Sequence, residues 1–242
     1  IRSACGEYNA TISNTDLHLH LARGFGTIEK PGQHLGAAEK EAADYVNKNK
    51  LFQGRSYHSA LLSSITATLF EHSQETEAHA QRLWDLCEKI GRRLDLSEQY
   101  LEDLHLFSRL HDVGKVGVDD QILNKPGELT PEEWQIMKKH PEVGYRIAMS
   151  APELAGIAEY ILCHHERWDG TGYPMGKTGT DIPLLSRILA IADAYDAMTT
   201  DRIYRNSLPN EEAVIEIIAQ AGSQFDPDIV KIFAEIMKDS TE

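Results

Sequence analysis

The stretch Tyr100-Leu-Glu-Asp-Leu-His-Leu-Phe-Ser-Arg-Leu-His-Asp-Val-Gly114 decides the fold class and gives the first hint of chemistry. Its apolar residues recur at helical spacing, and the spacing predicts a helix over Ser97 to His111. That helix runs into an adjacent pair, His111-Asp112, set behind Leu106-Phe107 and ahead of a glycine turn. Two side chains able to ligate a metal, placed at the end of so apolar a segment, are poor candidates for plain surface.

Outward from this stretch the helical period continues. Helices are expected over Ala60 to Phe70, Glu75 to Leu94, Pro131 to Met149, Pro152 to His165, Leu184 to Thr199, Glu211 to Ala221 and Pro227 to Met237. Thr130-Pro131-Glu132-Glu133 is a start signal, with Thr at the N-cap, Pro at the first helical position and Glu at the third. Two glycine-bearing loops, Val113 to Gly127 and Trp168 to Ile182, interrupt the pattern. The first 55 residues differ. Leu17-His18-Leu19-His20-Leu21 alternates like a half-buried strand, Gly24, Gly26 and Pro31-Gly32 break it, and an Ala-rich helix follows to about Leu51. The expectation is a mostly α protein: a helical bundle over 56–242 preceded by a small truncated α/β segment over 1–55. The start at Ile1-Arg2-Ser3, without Met, suggests a fragment, from which a membrane or sensor segment could be missing.

Lys and Arg total 24 against 38 Asp and Glu, a net charge of −14. Binding to long nucleic acid normally needs a basic stripe, so that class is disfavoured. A small phosphate-bearing substrate is not, because bound cations reverse the field locally. Cys5, Cys87 and Cys163 are sparse, odd in number and without a CxxC, which fits a reducing cytoplasm rather than a disulfide framework. No apolar run is long enough to span a membrane, although a longer protein could be tethered.

The ligand-type residues cluster at apolar helices. Glu75 and His79 lie four apart, on one face of an expected helix. His140 precedes Pro141, and His164-His165 closes the apolar run Ile157 to Cys163. Asp193 and Asp196 sit three apart inside Ile188-Leu-Ala-Ile-Ala-Asp-Ala-Tyr-Asp-Ala-Met198. Five imidazoles with carboxylates beside them in such settings are best satisfied together by a shared metal cluster. Nitrogen and oxygen ligands without thiolate favour Fe, Mn, Zn, Ni or Co. A close pair of such ions can activate water and hold a phosphate for in-line attack.

Arg109-Leu-His-Asp-Val-Gly-Lys-Val-Gly-Val118, His164-His-Glu-Arg-Trp-Asp-Gly-Thr-Gly-Tyr-Pro174 and Ile191-Ala-Asp-Ala-Tyr-Asp-Ala-Met-Thr199 together resemble the HD-GYP family, bacterial phosphodiesterases of cyclic di-GMP within the HD-domain hydrolases. The resemblance runs from about Ala60 to Met237 and includes an intact Gly172-Tyr173-Pro174. It implies an HD-type helical bundle and a metal-dependent hydrolysis of cyclic di-GMP to the linear dinucleotide, and onward to GMP. By that resemblance His79, His111, Asp112 and Asp193 hold one metal. Asp112 bridges to a second metal held by His140, His164 and His165, and Glu75 matches a carboxylate that recruits a third in some members. Two or three divalent ions are therefore implied, with Fe or Mn favoured. Lys115 matches a lysine that reaches the scissile phosphate, and Tyr173, Arg202 and Arg205 match groups lining the substrate site. Asp196 is a candidate for orienting a ligand, and Trp168 and Tyr173 for stacking on guanine. The opening segment faintly resembles the end of a GGDEF-type cyclase domain, without that domain's signature. A homodimer, or a regulatory domain in a longer chain, is compatible with this reading. Two alternatives stay open: another HD-type nucleotide phosphohydrolase, and a catalytically weak module that senses a cyclic dinucleotide.

Overall fold

The structure is a computed structural model and describes residues 76–200 and 207–239. The strand and helix expected within residues 1–55, the domain boundary placed after them, and the helix expected over 60–70 lie outside the described residues.

Nine α-helices form among the described residues: α1 (Glu77–Arg93), α2 (Glu98–Leu110), α3 (Asp120–Leu123), α4 (Pro131–Met137), α5 (His140–Ser150), α6 (Ala158–Cys163), α7 (Leu184–Thr199), α8 (Asn210–Ala219) and α9 (Pro227–Asp239). No strand forms among them, only an isolated bridge between Ala221 and Phe225. The mostly α architecture expected from the periodicity is therefore found. No helix among the described residues is long and apolar enough to cross a membrane.

Local signals start the helices where the sequence places them. Thr76 accepts from the His79 amide at 3.1 Å and caps α1. Thr130 and Glu133 form a reciprocal capping box at α4. Asp226 accepts from the Asp228 amide at the start of α9, and its other oxygen receives Arg187 of α7 at 2.5 Å.

The apolar stripe of α1, comprising Ala80, Leu83, Leu86, Cys87 and Ile90, packs against α2, α7 and α9. Leu104, Phe107 and Leu110 of α2, Ile161 of α6, Leu185 and Ile188 of α7, and Phe233 of α9 complete a core from which water is excluded. Burying a side chain of this size contributes about 1.5–3 kcal/mol. The ligand-type residues sit at the ends of these stripes, so the core fixes them as a by-product of its own packing. His79, for example, heads the buried face of α1.

Two expected helices are divided. Pro131 to Met149 forms α4 and α5, separated at Lys138-Lys139. Pro141 has no amide hydrogen to give the Met137 carbonyl, so the regular ladder cannot continue there. The His140 imidazole takes that carbonyl instead, Nδ1 to O at 2.8 Å. Likewise α6 begins only at Ala158, because Ala151 to Ile157 closes through tighter turns, Leu154 N to Ala151 O at 2.9 Å and Ile157 N to Leu154 O at 3.0 Å.

The loop after Asp112 is a 3₁₀ turn, Val113–Gly117, pressed against the start of α5. A Cβ on Gly114 would stand 1.9 Å from the His140 carbonyl oxygen and 2.5 Å from the Gly144 amide nitrogen. Only glycine allows this backbone contact, which brings His111-Asp112 to His140. Gly114→Ala is therefore expected to force the turn and α5 apart. A loss of about 1–3 kcal/mol in denaturant stability, typical of overpacking, should accompany a lower bound-metal content. Wild-type stability and metal content in that variant would show that the contact does not matter.

Candidate metal centre

His111 closes α2 and Asp112 opens the 3₁₀ turn; both are buried. His140 opens α5, His164 and His165 follow α6, His79 comes from α1 and Asp193 from α7. These residues, far apart in sequence, form two groups whose ligand atoms lie within 4.8 Å of one another: Asp112, His140, His164 and His165 in the first, and His79, His111 and Asp193 in the second.

Asp112 stands between the two groups. Its Oδ1 is 3.0 Å from His140 Nε2 and 3.6 Å from His164 Nε2. Its Oδ2 is 3.2 Å from His111 Nε2 and 2.7 Å from Lys115 Nζ. Burial by itself would raise the Asp112 carboxyl, but the Lys115 charge beside it holds it well below the usual carboxylate range.

The imidazoles are oriented from behind. His111 Nδ1 reaches the Ser108 carbonyl at 3.1 Å, His140 Nδ1 the Met137 carbonyl at 2.8 Å, and His164 Nδ1 the Ile161 carbonyl at 2.6 Å. His79 Nδ1 lies 2.7 Å from Asp196 Oδ2. Carbonyl and carboxylate oxygens only accept, so each Nδ1 carries a hydrogen, and a ring in that tautomer, when neutral, turns an Nε2 lone pair inward. The Nε2 atoms of His140 and His164 face each other at 3.2 Å beside the Asp112 carboxylate. Burial lowers the proton affinity of His164 and takes that of His165 well below its usual value, so protonation does not readily relieve the crowding. Inward lone pairs, an ionised carboxylate and hydrogen-bonded outer nitrogens are what divalent cations require. The donor set fits metal ions.

Two outer residues complete this support. Asp196 is buried and holds His79, and Arg82 donates to both of its oxygens, Nε to Oδ1 and Nη2 to Oδ2 at 3.0 Å. Burial would raise the Asp196 carboxyl, yet the hydrogen bonds from His79 and Arg82 bring it to about 2. The ligand-orienting role expected for Asp196 matches this geometry. Arg82 was not singled out; its signal is its place one turn beyond His79 on α1. Glu166 was also missed. It is buried behind the histidine pair and accepts from the Met175 and Lys177 amides at 2.6 and 3.1 Å, holding the loop that carries Tyr173.

Gly172 lets that loop lie directly on the chain, since a Cβ there would be 2.4 Å from the Arg167 amide nitrogen. Tyr173 then stacks on His165, ring centroids 4.9 Å apart at 30°. Burial raises the Tyr173 phenol above its ordinary value and keeps it a donor. Trp168, the other candidate for stacking on guanine, lies in the same loop. The Trp168 amide donates to Gln224 and its ring lies beside Arg187, 5.9 Å from the guanidinium, so it packs the loop against α7. Besides His165, Tyr173 has the ring of Trp134 of α4 beside it. Glu75, Arg202 and Arg205 lie outside the described residues.

A family model described as HD domain matches residues 63–229. The chain belongs to the HD-domain family. Its HD-GYP resemblance agrees with its relatives. It is 42% identical over 170 residues to a Thermotoga maritima protein named cyclic di-GMP phosphodiesterase, a match covering 69% of this chain and 46% of the relative. It is 39% identical over 193 residues to a Vibrio cholerae protein named 3'3'-cGAMP-specific phosphodiesterase 2, covering 79% of this chain and 37% of the relative. The chain thus spans less than half the length of either. The fold is also similar to a crystal structure of a V. cholerae phosphodiesterase described as cyclic GMP-AMP specific, with a TM-score of 0.56, 24% identity, and 75% of this chain and 49% of the other covered.

Outer-shell partners of a metal-binding histidine typically contribute 10- to 100-fold in affinity. Asp196→Ala should therefore weaken metal binding by about that factor, measured by competition with a chelator, while circular dichroism still reports a helical chain. Unaltered affinity would show that Asp196 does not act through His79.

Proposed function

We propose that this domain is a metal-dependent phosphodiesterase that hydrolyses cyclic di-GMP to the linear dinucleotide pGpG, and onward to GMP. The observation that carries the reading is that the two oxygens of buried Asp112 face apart, one toward His140 and His164 and the other toward His111 and Lys115. Such a carboxylate suits a bridge between two ions. His79, His111 and Asp193 would hold one and His140, His164 and His165 the other. Two ions are proposed on these residues, with iron or manganese preferred; a third would depend on Glu75. When bound, the ions supply Lewis-acid polarisation of a phosphoryl oxygen and activate water as a nucleophile.

The side chains of this chain do the rest. Lys115, held by Asp112, offsets charge that develops on the phosphoryl oxygens during in-line attack. Tyr173, anchored on His165, offers its hydroxyl to the substrate. Asp196 and Arg82 keep His79 in one tautomer and orientation. The water oxygen joins phosphorus, the bond from phosphorus to the 3′ oxygen breaks, and that oxygen takes up a proton as an alcohol. The names of the relatives support a cyclic dinucleotide as substrate. Because relatives named for cyclic di-GMP and for 3'3'-cGAMP both match, the mixed dinucleotide is the second reading. The acidic composition and sparse cysteines suit a cytoplasmic domain, and Arg202 and Arg205 are proposed as further substrate contacts.

Metal-loaded chain should release pGpG from cyclic di-GMP, seen by chromatography. Asp112→Ala should abolish turnover and lower metal content. Lys115→Ala should retain metal yet lose about 100- to 1000-fold in kcat, the usual effect of removing one transition-state donor. Undiminished turnover by metal-analysed Asp112→Ala would refute the bridging role, and no turnover of any cyclic dinucleotide by the wild type would refute the reading as a whole.

A further inference from the structure

The metal groups and Tyr173 account for one phosphate of a cyclic dinucleotide. They leave open what receives the outer part of so large a substrate. From His165, the ring of Tyr173 lies one step out, at 4.9 Å. The ring of Trp134 lies a second step out, 6.3 Å from Tyr173 and nearly edge-on to it at 79°. Three aromatic rings therefore lead from the metal-binding histidines toward the surface. The outermost is 44% exposed, so much of Trp134 is open to solvent next to the site.

Trp134 does not have the setting of a core residue. No residue of α4 is fully buried, and the helix is fastened at its start by the Thr130–Glu133 capping box and by Lys125 donating to Glu133 at 2.5 Å. Polar contacts thus fix the start of the helix, while Trp134 itself stays partly exposed. Lys138, at the end of the same helix, adds a cation on this side, with Nζ 6.0 Å from the centre of the Tyr173 ring. A flat apolar face beside a cation, one ring beyond the reacting phosphate, matches a nucleobase linked to a second phosphate. Bases stack on aromatic side chains without regard to sequence, because each has a π face. Cations near phosphates bring charge-assisted contacts.

We propose that Trp134 is the base-stacking residue of the outer substrate site and that Lys138 contacts the phosphate not being cleaved. This rests on the cyclic-dinucleotide reading and deepens it. Trp134 then contributes to recognition of the dinucleotide rather than to the metal centre, and helps distinguish a base-bearing diester from a plain one.

The test compares two substrates on the manganese-loaded full chain, cyclic di-GMP and methyl p-nitrophenyl phosphate, a diester with no nucleobase. Trp134→Leu keeps an apolar contact for Tyr173 but removes the π face; Trp134→Phe keeps both. Stacking on one base should be worth about 5- to 150-fold in binding. The ratio of kcat/KM for cyclic di-GMP to that for the plain diester should fall by such a factor in Trp134→Leu, through KM, and recover largely in Trp134→Phe, with metal content equal in all three proteins. Lys138→Ala should lower the same ratio. An unchanged ratio in Trp134→Leu overturns the proposal. Equal losses on both substrates with reduced metal content also overturn it, by making Trp134 a structural prop for Tyr173. If the wild type cleaves only the plain diester, the cyclic-dinucleotide reading fails together with this one, while the metal centre stands.

Discussion

A carboxylate buried between two sets of inward-facing imidazoles is the constraint on which the rest of the structure depends. Asp112 is almost wholly removed from water, and its two oxygens face different histidine groups. Without cations, the lone pairs of His140 and His164 and the charge of Asp112 oppose one another at about 3 Å separations. Burying such groups is costly unless something pairs with them all. Metal ions turn the same crowding into coordination, and folding free energy and metal affinity become linked.

Much of the local irregularity serves this arrangement. The break between α4 and α5 frees the Met137 carbonyl that orients His140. Gly114 allows the backbone approach that sets Asp112 beside His140, and Gly172 lays Tyr173 onto His165. The outer carbonyls of Ser108 and Ile161 and the carboxylate of Asp196 fix three more rings. Helix packing brings the ligands near one another, while these few contacts aim them.

The sequence was most readable where a single period carried the information. The helical repeat gave α1, α2, α7 and α9 almost to the residue, since their buried stripes are long. Asp193, a carboxylate inside an apolar helix, stood out because burial without a partner is expensive, whereas His79 was marked only by its spacing from Glu75. Pro141 was visible, but its consequence was not: the split of α4 from α5 depends on a carbonyl shared with the His140 ring. Arg82 and Asp196 pair across 114 residues, a contact no local pattern encodes. Glu166 sits in a loop where an acidic residue is ordinary, and only its two amide contacts show its purpose. Trp134 was not singled out, because nothing local in the sequence joins it to the glycine loop; the fold brings α4 to Tyr173. Glu75, Arg202 and Arg205 lie outside the described residues and stay sequence-based assignments.

The central claim is that two ions share Asp112, and anomalous X-ray scattering from crystals of the metal-loaded chain addresses it directly. The account predicts two anomalous peaks, one among His140, His164 and His165 and one among His79, His111 and Asp193, with an oxygen of Asp112 bound to each. A single peak, or two peaks of which only one touches Asp112, would contradict it.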